Sequence, residues 1–382
     1  MSATIVVRRI RPADYVERSA AFTELSLRAL AANPHMAPAA IAAARLLIPD
    51  DRIIVLAAWQ SEALGSERLA GLWALHRKRD WRSGFASVLV APLLPLYEVS
   101  SIPVLDRDLA NDAAEAMLRH ILASGDLPKT LALPLLPLEG PCHAVLSEAF
   151  RSTGSRLAIH ERWSRPMLLP EADDDAERYL RRALGQSYKK RMQQFRSVTK
   201  AGEAAFRRER GEAAQNSFNA FLALEAAGWK GEAGTAIARL PRDTAYFRQL
   251  VTGFAAQDAL QVDSLRLDGE PIAMGLLIES AGTRHFLKIA YDESQSRLSP
   301  GRALTIAMLQ ADFAGTPPVV FDSGAGDGVD AGTYVWGERR EMGHAIVTLG
   351  SSRPGLPELA AHARQGLRRL RKRLKGRARL FG

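Results

Sequence analysis

A carboxylate, an indole and an ammonium fall within six residues at Glu225, Trp229 and Lys230, interleaved with Gly228, Gly231 and Gly234. A carboxylate can take a proton from an amine or hydroxyl, or hold that group by a hydrogen bond. An ammonium can bind an anionic group or stabilise charge that develops on an oxygen. Trp229 offers a flat apolar surface against which a sugar ring can rest, although a tryptophan is equally at home in a core. The apolar run Phe218 to Leu224 predicts that a helix starting at Gly211 leads into this stretch. Gly228 is expected to close that helix in the left-handed conformation, so that Trp229 and Lys230 project from a loop on a rigid support.

A second candidate lies downstream. Thr283 to Tyr291 reads as a strand, Ser299-Pro300-Gly301 as a break, and Arg302 to Phe313 as a helix. Alternation puts Leu287, Ile289 and Tyr291 on one face and Phe286, Lys288 and Ala290 on the other. A strand, a sharp turn and a helix N-terminus form an anion site, because free N–H groups and the helix dipole both attract phosphate. Ser299, Gly301, Arg302 and Ala303 are the residues placed there. Pro300 has no N–H to give, and Arg302 supplies a cation instead. Without a ligand the same residues make an ordinary tight turn.

Glu225 with Trp229-Lys230-Gly231 and Gly234-Thr235-Ala236 resembles the signature of the CelD-type acetyltransferases, within the GNAT superfamily. The likeness continues at Lys288, Ala290-Tyr291-Asp292, Ser299-Pro300-Gly301 and the segment from Asp322 to Trp336. It is weaker before Pro170, where Asn33-Pro34-His35 and Pro38 resemble the Asn-Pro-Phe-x-x-Pro stretch of that family. The resemblance implies two tandem GNAT-like domains of mixed, mostly antiparallel α/β (α+β) type, the first degenerate, and acyl transfer from acetyl-CoA or another acyl-CoA. It points to an amine or hydroxyl acceptor on a small molecule or glycan precursor, in exopolysaccharide or envelope biosynthesis. It casts Glu225, Lys288, Tyr291 and Tyr334 as catalytic, with the two tyrosines as proton donors to the leaving thiolate. Trp229, Lys230, Asp292, Asp322 and Trp336 would bind the acceptor. Arg297 to Ala303 keeps only Gly301-x-Ala303 of the usual GNAT pyrophosphate loop, so two other readings stand beside this one. One is a FemAB-like transferase that uses aminoacyl-tRNA. The other is a non-catalytic protein that binds membrane or polymer.

The bulk composition is compatible with these readings. The chain has 382 residues, 47% hydrophobic and 24% charged, enough for two domains of ordinary size. The expected divisions are 1–170, 171–356 and a basic tail, 357–382; Pro170 to Asp175 is acidic and marks the first boundary. Nine of the 51 basic residues lie between Arg364 and Gly382, where there is no acid; elsewhere 42 bases face 42 acids. The net charge of +9 therefore belongs to the tail. Leu359, Ala363, Leu367, Leu370 and Leu374 share one seam of it, the pattern of a basic amphipathic helix. Such a helix suits an anionic membrane surface, and nucleic acid less well.

Cys142 is the single cysteine, which excludes an internal disulfide and fits a reducing cytoplasm. As a thiol it has no catalytic context. The N-terminus lacks the pattern of a signal peptide, and no apolar run reaches the roughly 20 residues of a membrane helix. The expected place is cytoplasmic, peripheral at the inner face of the membrane. No zinc or calcium spacing is complete, and no HExxH, Walker or Ser-His-Asp pattern occurs, so no metal is expected.

Other elements follow from pattern. Arg11-Pro12-Ala13-Asp14 opens one helix running to about Ala31, Ala39 to Leu47 reads as another, and Ala86 to Val90 with Leu94 to Val99 as strands. Leu260 to Leu267 and Pro271 to Glu279 form a hairpin across Asp268-Gly269. Ala176 to Lys200 is a helical stretch dense in cations, suited to an anionic ligand or to a solvated face.

Overall fold

The computed structural model describes residues 4–61, 66–315, 319–326 and 335–378, with side chains omitted at Arg82 and beyond Leu367. The chain forms two compact units. One comprises residues 1–36, 48–163 and 341–382, and the other residues 37–47 and 164–340.

The first unit opens with β1 (Ile5–Ile10), α1 (Pro12–Val16) and α2 (Ser19–Leu27). The single helix expected to open at Arg11-Pro12 and run to about Ala31 is thus two short ones, broken at Glu17-Arg18. After α3 (Pro38–Ala44), which belongs to the other unit, come β2 (Ile53–Ser61), β3 (Glu67–Arg79), β4 (Ser87–Val90) and β5 (Val104–Leu105). Then follow α4 (Ala110–Ala123), β6 (Thr130–Pro137), α5 (Pro141–Ser152) and β7 (Arg156–Leu168), whose residues 156–163 lie in this unit. Leu94 to Val99 is not a strand. Pro95 removes a ladder donor there and Pro92 another just before it, and a strand interior does not tolerate such losses.

The second unit takes the end of β7, then α6 (Ala176–Leu184), α7 (Tyr188–Ala201), β8 (Ala204–Arg210), α8 (Gly211–Ala227), α9 (Trp229–Glu232) and α10 (Pro241–Ala255). It continues with β9 (Leu260–Leu267), β10 (Glu270–Ser280), β11 (Thr283–Tyr291), α11 (Pro300–Phe313) and β12 (Val320–Asp322). The chain ends on β13 (Glu338–Thr348) and α12 (Leu356–Ala378), which lie in the first unit from Glu341 onward. Asp268 and Gly269 both take positive φ, and they join β9 to β10 as the hairpin turn their types predict.

Both units repeat one topology. In the first, β1, β2, β3 and β4 pair antiparallel in order, and β4 pairs parallel with β6 beyond α4. In the second, β8, β9, β10 and β11 do the same, and β11 pairs parallel with β12 beyond α11. Helices intervene between the first two strands of each set. The mixed, mostly antiparallel α/β architecture is the expected one.

Two features of the second unit shape its site. β12 pairs with β11 at Thr283 to His285, so β11 has no β12 partner from Phe286 to Tyr291. Opposite Leu276 and Leu277 the register of β11 jumps from Lys288 to Phe286, which makes Leu287 an extra residue, a β-bulge. The bulge resets the alternation. Phe286 joins Ile289 and Tyr291 against α11, in a core with Leu304, Phe321 and Trp336, while Lys288 faces α8. The expectation that Phe286 shares the face of Lys288 is corrected by this one extra residue.

Where β11 and β12 do pair, His285 and Asp322 stand opposite each other, both buried. Burial pushes the His285 imidazole down to about 4, against the pull of Asp322. Burial works to raise the Asp322 carboxyl, but Arg165 at 3.3 Å, with His285 and Arg340, carries it below its usual range. The unfolded histidine binds a proton near pH 6.5 and the folded one does not, so stability falls as pH drops through that window. The loss by pH 4 is about 3 kcal/mol for this residue. Denaturant titrations across that range should show a slope that His285→Leu reduces; an unchanged slope would remove His285 as its source.

Candidate functional site

The site is built where α8 ends against β11. α8 buries Phe218, Phe221, Leu222 and Glu225. Glu225 is 2% exposed, and both of its oxygens are occupied. Oε1 accepts from Lys288 Nζ at 3.2 Å and from Lys230 Nζ at 3.4 Å. Oε2 accepts from the Ile237 N–H at 2.8 Å. Lys230 also donates to the Ile289 carbonyl at 2.9 Å. The Lys288 ammonium lies 5.5 Å from the centre of the Phe247 ring on α10, a cation–π distance. Burial lowers the pKa of Lys230; Glu225 pulls it back up, and Lys288 pushes it down again. The cluster carries two cations to one anion, which favours an anionic group or an oxyanion beside it.

Local backbone explains how a lysine five residues after Glu225 can return to it. Gly228 is extended (φ −94°, ψ −173°) and not left-handed, which corrects the expected cap. It ends α8 and begins α9 at once, so Trp229 and Lys230 sit on a short helix where a loop is expected. A side chain at Gly228 would meet Glu293 Oε1 at 3.1 Å. That carboxylate accepts from the Trp229 N–H at 2.8 Å and so caps α9 from outside. Gly231 is tighter still: a Cβ there would sit 1.9 Å from the Ala226 carbonyl oxygen. Gly234 takes the positive φ that turns the chain toward Ile237. A cavity of about 10 Å³, lined by Glu225, Trp229, Lys230, Tyr291 and Glu293 among others, leaves room for a single water. Trp229 itself is half-exposed.

The turn before α11 lies on the other face of β11. The Tyr291 ring is 3.3 Å from where a Gly301 Cβ would be, so glycine lets the tyrosine lie close on the helix start. Ser299 is left-handed, and its carbonyl accepts from the N–H groups of Arg302 and Ala303. Pro300 has none, which leaves the Gly301 N–H as the first-turn donor without an intrahelical acceptor. Arg302 is half-buried beside it. The Asp292 carboxylate caps the following turn at the Ser294 N–H, 2.9 Å away.

The structure therefore joins Glu225, Lys230 and Lys288 in one cluster with Trp229 at its lip, and sets Tyr291, Ser299, Gly301, Arg302 and Ala303 together at the turn. Asp292 serves the backbone of that turn. Asp322 is buried with Arg165 and His285, away from any surface an acceptor can reach. Trp336 is no sugar platform either: it is 2% exposed, with its ring 4.5 Å from Phe321. Tyr334 lies outside the described residues. Cys142 is buried, and burial pushes its thiol up to about 12, far from a thiolate. Glu293, Ile237 and Phe247 complete the cluster. Sequence reasoning missed them because their parts are a backbone N–H, a ring face and a capping bond, none of which has a spacing signature.

The cation-rich stretch divides in two. On α6, Arg178 and Arg182 pair with Asp173 and Asp174, and Arg181 with Glu177. On α7, no ion pair to Lys189, Lys190, Arg196 or Lys200 is found among the described residues. A cavity of about 720 Å³ there is lined by Arg181, Tyr188, Lys189, Met192 and Arg196, among others.

Residues 185–329 match the family described as Acetyltransferase (GNAT) domain. This segment is similar to GNAT acetyltransferase domains. It contains the whole Glu225–Lys230–Lys288 cluster and the turn before α11. No curated protein matches the chain. Among solved structures, FemX is 9% identical, with a TM-score of 0.56 over 90% of this chain and 97% of that one. The C-terminal domain of a putative lysylphosphatidylglycerol synthetase from Agrobacterium fabrum is 11% identical, with a TM-score of 0.53 over 93% and 96%. A conserved protein of unknown function from Bacteroides thetaiotaomicron is 13% identical, with a TM-score of 0.54 over 91% and 100%. At these identities the likeness is one of fold.

Two substitutions probe the cluster. Glu225→Leu leaves two ammonium groups facing an apolar side chain and the Ile237 N–H unpaired. It should lower stability by about 2 kcal/mol, reduced from the fully buried case because each lysine keeps some solvent. Gly231→Ala, which drives a methyl into the Ala226 carbonyl, should destabilise by a similar amount. Denaturant unfolding of both variants checks this; a Gly231→Ala protein as stable as the parent would mean that α9 does not pack as described.

Proposed function

We propose that the second unit moves an acetyl or longer acyl group from acyl-CoA to an amine or hydroxyl. The observation that carries the reading is the buried Glu225 carboxylate held between two ammonium groups beside a bulged strand that its parallel neighbour leaves open. On this reading the acyl group lies along the unpaired part of β11, between the α11 turn and the lysine cluster. The acceptor approaches past Trp229. Glu225 takes the proton as the acceptor attacks the thioester carbonyl, and Lys288 and Lys230 stabilise the charge on that oxygen. Tyr291, lying on Gly301, is placed to return a proton to the departing thiolate. Gly301 N–H and Arg302 hold the pyrophosphate of the donor. The CelD-like motifs favour a sugar-linked acceptor in exopolysaccharide or envelope synthesis, carried out on the cytoplasmic side.

A second reading, aminoacyl transfer from tRNA in the FemAB manner, draws support from two features. The turn offers one N–H where a pyrophosphate loop offers several, and the cations of α7 line a large cavity. Thermal unfolding with CoA, acetyl-CoA and longer acyl-CoAs separates the two. A bound donor at about 100 times its Kd should stabilise the protein by about 2.7 kcal/mol, and Gly301→Asp should remove the effect. No stabilisation by any CoA would turn the assignment toward tRNA. Once an acceptor is in hand, Glu225→Gln should lower kcat by about 100-fold or more with the fold intact; full activity in that variant would exclude Glu225 as the base.

A further inference from the structure

The first unit carries exposed apolar side chains that nothing in its own fold covers. α12 seats Pro357, Glu358 and Ala361 on the unit, with Glu358 buried against Arg156 at 3.0 Å. Its opposite side bears Leu356, Leu359, Ala363 and Leu367 at helical spacing, all exposed; Leu356 is 66% exposed and Leu367 58%. The same spacing continues in the sequence at Leu370 and Leu374. A short turn lies alongside. A Cβ on Gly84 would be 3.5 Å from Ala360, and the Arg364 guanidinium is 5.8 Å from the centre of the Trp81 ring. Trp81 and Phe85, on either side of that glycine, are 60% and 65% exposed.

A cavity of about 390 Å³ lies on the other, seated side of α12, where Pro357 and Ala361 line it with Val88, Val90 and Ile346, among others. Charge completes the pattern: nine cations and no acid lie between Arg364 and Gly382. Monomeric soluble proteins rarely expose so many large apolar groups in one neighbourhood. An apolar stripe, a tryptophan at its edge and a dense positive charge are the three features that bind an anionic bilayer in its interfacial plane. Nucleic acid would use the charge but leave the leucines and Phe85 unaccounted for.

We propose that this face of the first unit, made of α12 and the Trp81–Phe85 turn, docks on an anionic phospholipid surface. Leu356, Leu359 and Leu367 enter the acyl boundary, Trp81 and Phe85 lie at headgroup depth, and the cations hold the phosphates. The proposal does not depend on what the second unit transfers.

Co-sedimentation of the full-length protein with vesicles tests it. Vesicles of phosphatidylcholine with phosphatidylglycerol should bind the protein, phosphatidylcholine alone should bind it at least tenfold less, and salt should weaken the first. Leu359→Glu combined with Leu367→Glu should reduce binding to the anionic vesicles about tenfold or more, one decade being about 1.4 kcal/mol. Both sites are exposed, so thermal unfolding of that variant should match the parent. As an independent readout, the blue shift of tryptophan emission on anionic vesicles should shrink in Trp81→Phe. Three outcomes would overturn the proposal. The first is a parent protein that stays in the supernatant with anionic vesicles. The second is a double variant that binds them unchanged, which would leave charge alone as the cause. The third is double-stranded RNA that binds more tightly than the vesicles and displaces them.

Discussion

Burying the Glu225 carboxylate is the constraint that the rest of the candidate site answers. An ionised carboxylate in an apolar interior is costly unless its oxygens are paired and hydrogen-bonded. Here one oxygen takes two ammonium groups and the other a backbone N–H. Those three donors come from α9, β11 and the turn before α10, so meeting the needs of one side chain fixes three pieces of backbone at once. Gly228 and Gly231 follow from the same demand, because Lys230 reaches back only if the chain folds tightly over the end of α8. Phe247 then provides a π-face for the second lysine, the side on which it has no anion.

The bulge at Leu287 has a comparable role within the sheet. A regular strand would put Phe286 and Lys288 on one face, and either an aromatic would leave the α11 core or a lysine would enter it. One extra residue settles the conflict. Phe286, Phe321 and Trp336 close the core on one face, while Lys288 turns to Glu225 on the other. The bulge adjoins the stretch of β11 that β12 does not pair. This stretch of β11 lies between two chemically distinct faces, one with the charged cluster and one with the glycine turn.

Much of this was legible in the sequence. The limits of β11, the Asp268-Gly269 hairpin and the helix after Ser299 follow from alternation and turn chemistry, which are local. The joining of Glu225 to Lys230 and Lys288 was legible as a motif, though not as a geometry. What could not be read was set by tertiary contact. Gly228 is extended because Glu293 occupies the space beside it and α9 begins at once, and no local preference of glycine encodes that. Trp336 and Asp322 looked like surface binding groups, since an aromatic and an acid near a glycine-rich segment fit that picture. Both were claimed by the core, the first by Phe321 and the second by Arg165. The bulge left no mark in the pattern, because an inserted leucine between Phe and Lys reads as ordinary alternation.

The repeated topology shows what distinguishes a site from a scaffold. The strand of the first unit that corresponds to β11 is β4, and it reads Ser-Val-Leu-Val, with no charge to turn toward a neighbouring helix. From its end to α4 the chain takes residues 91–109, including Pro92, Pro95, Pro103 and the paired strand β5, whereas only residues 292–299 separate β11 from α11. A short turn holds the helix N-terminus beside the strand, where N–H groups and a cation can act on one ligand. A long proline-marked connection spends the same region on packing. The short connection, the glycine turn, the buried carboxylate and the bulged strand occur together in the second unit, whereas the corresponding junction of the first has the long connection.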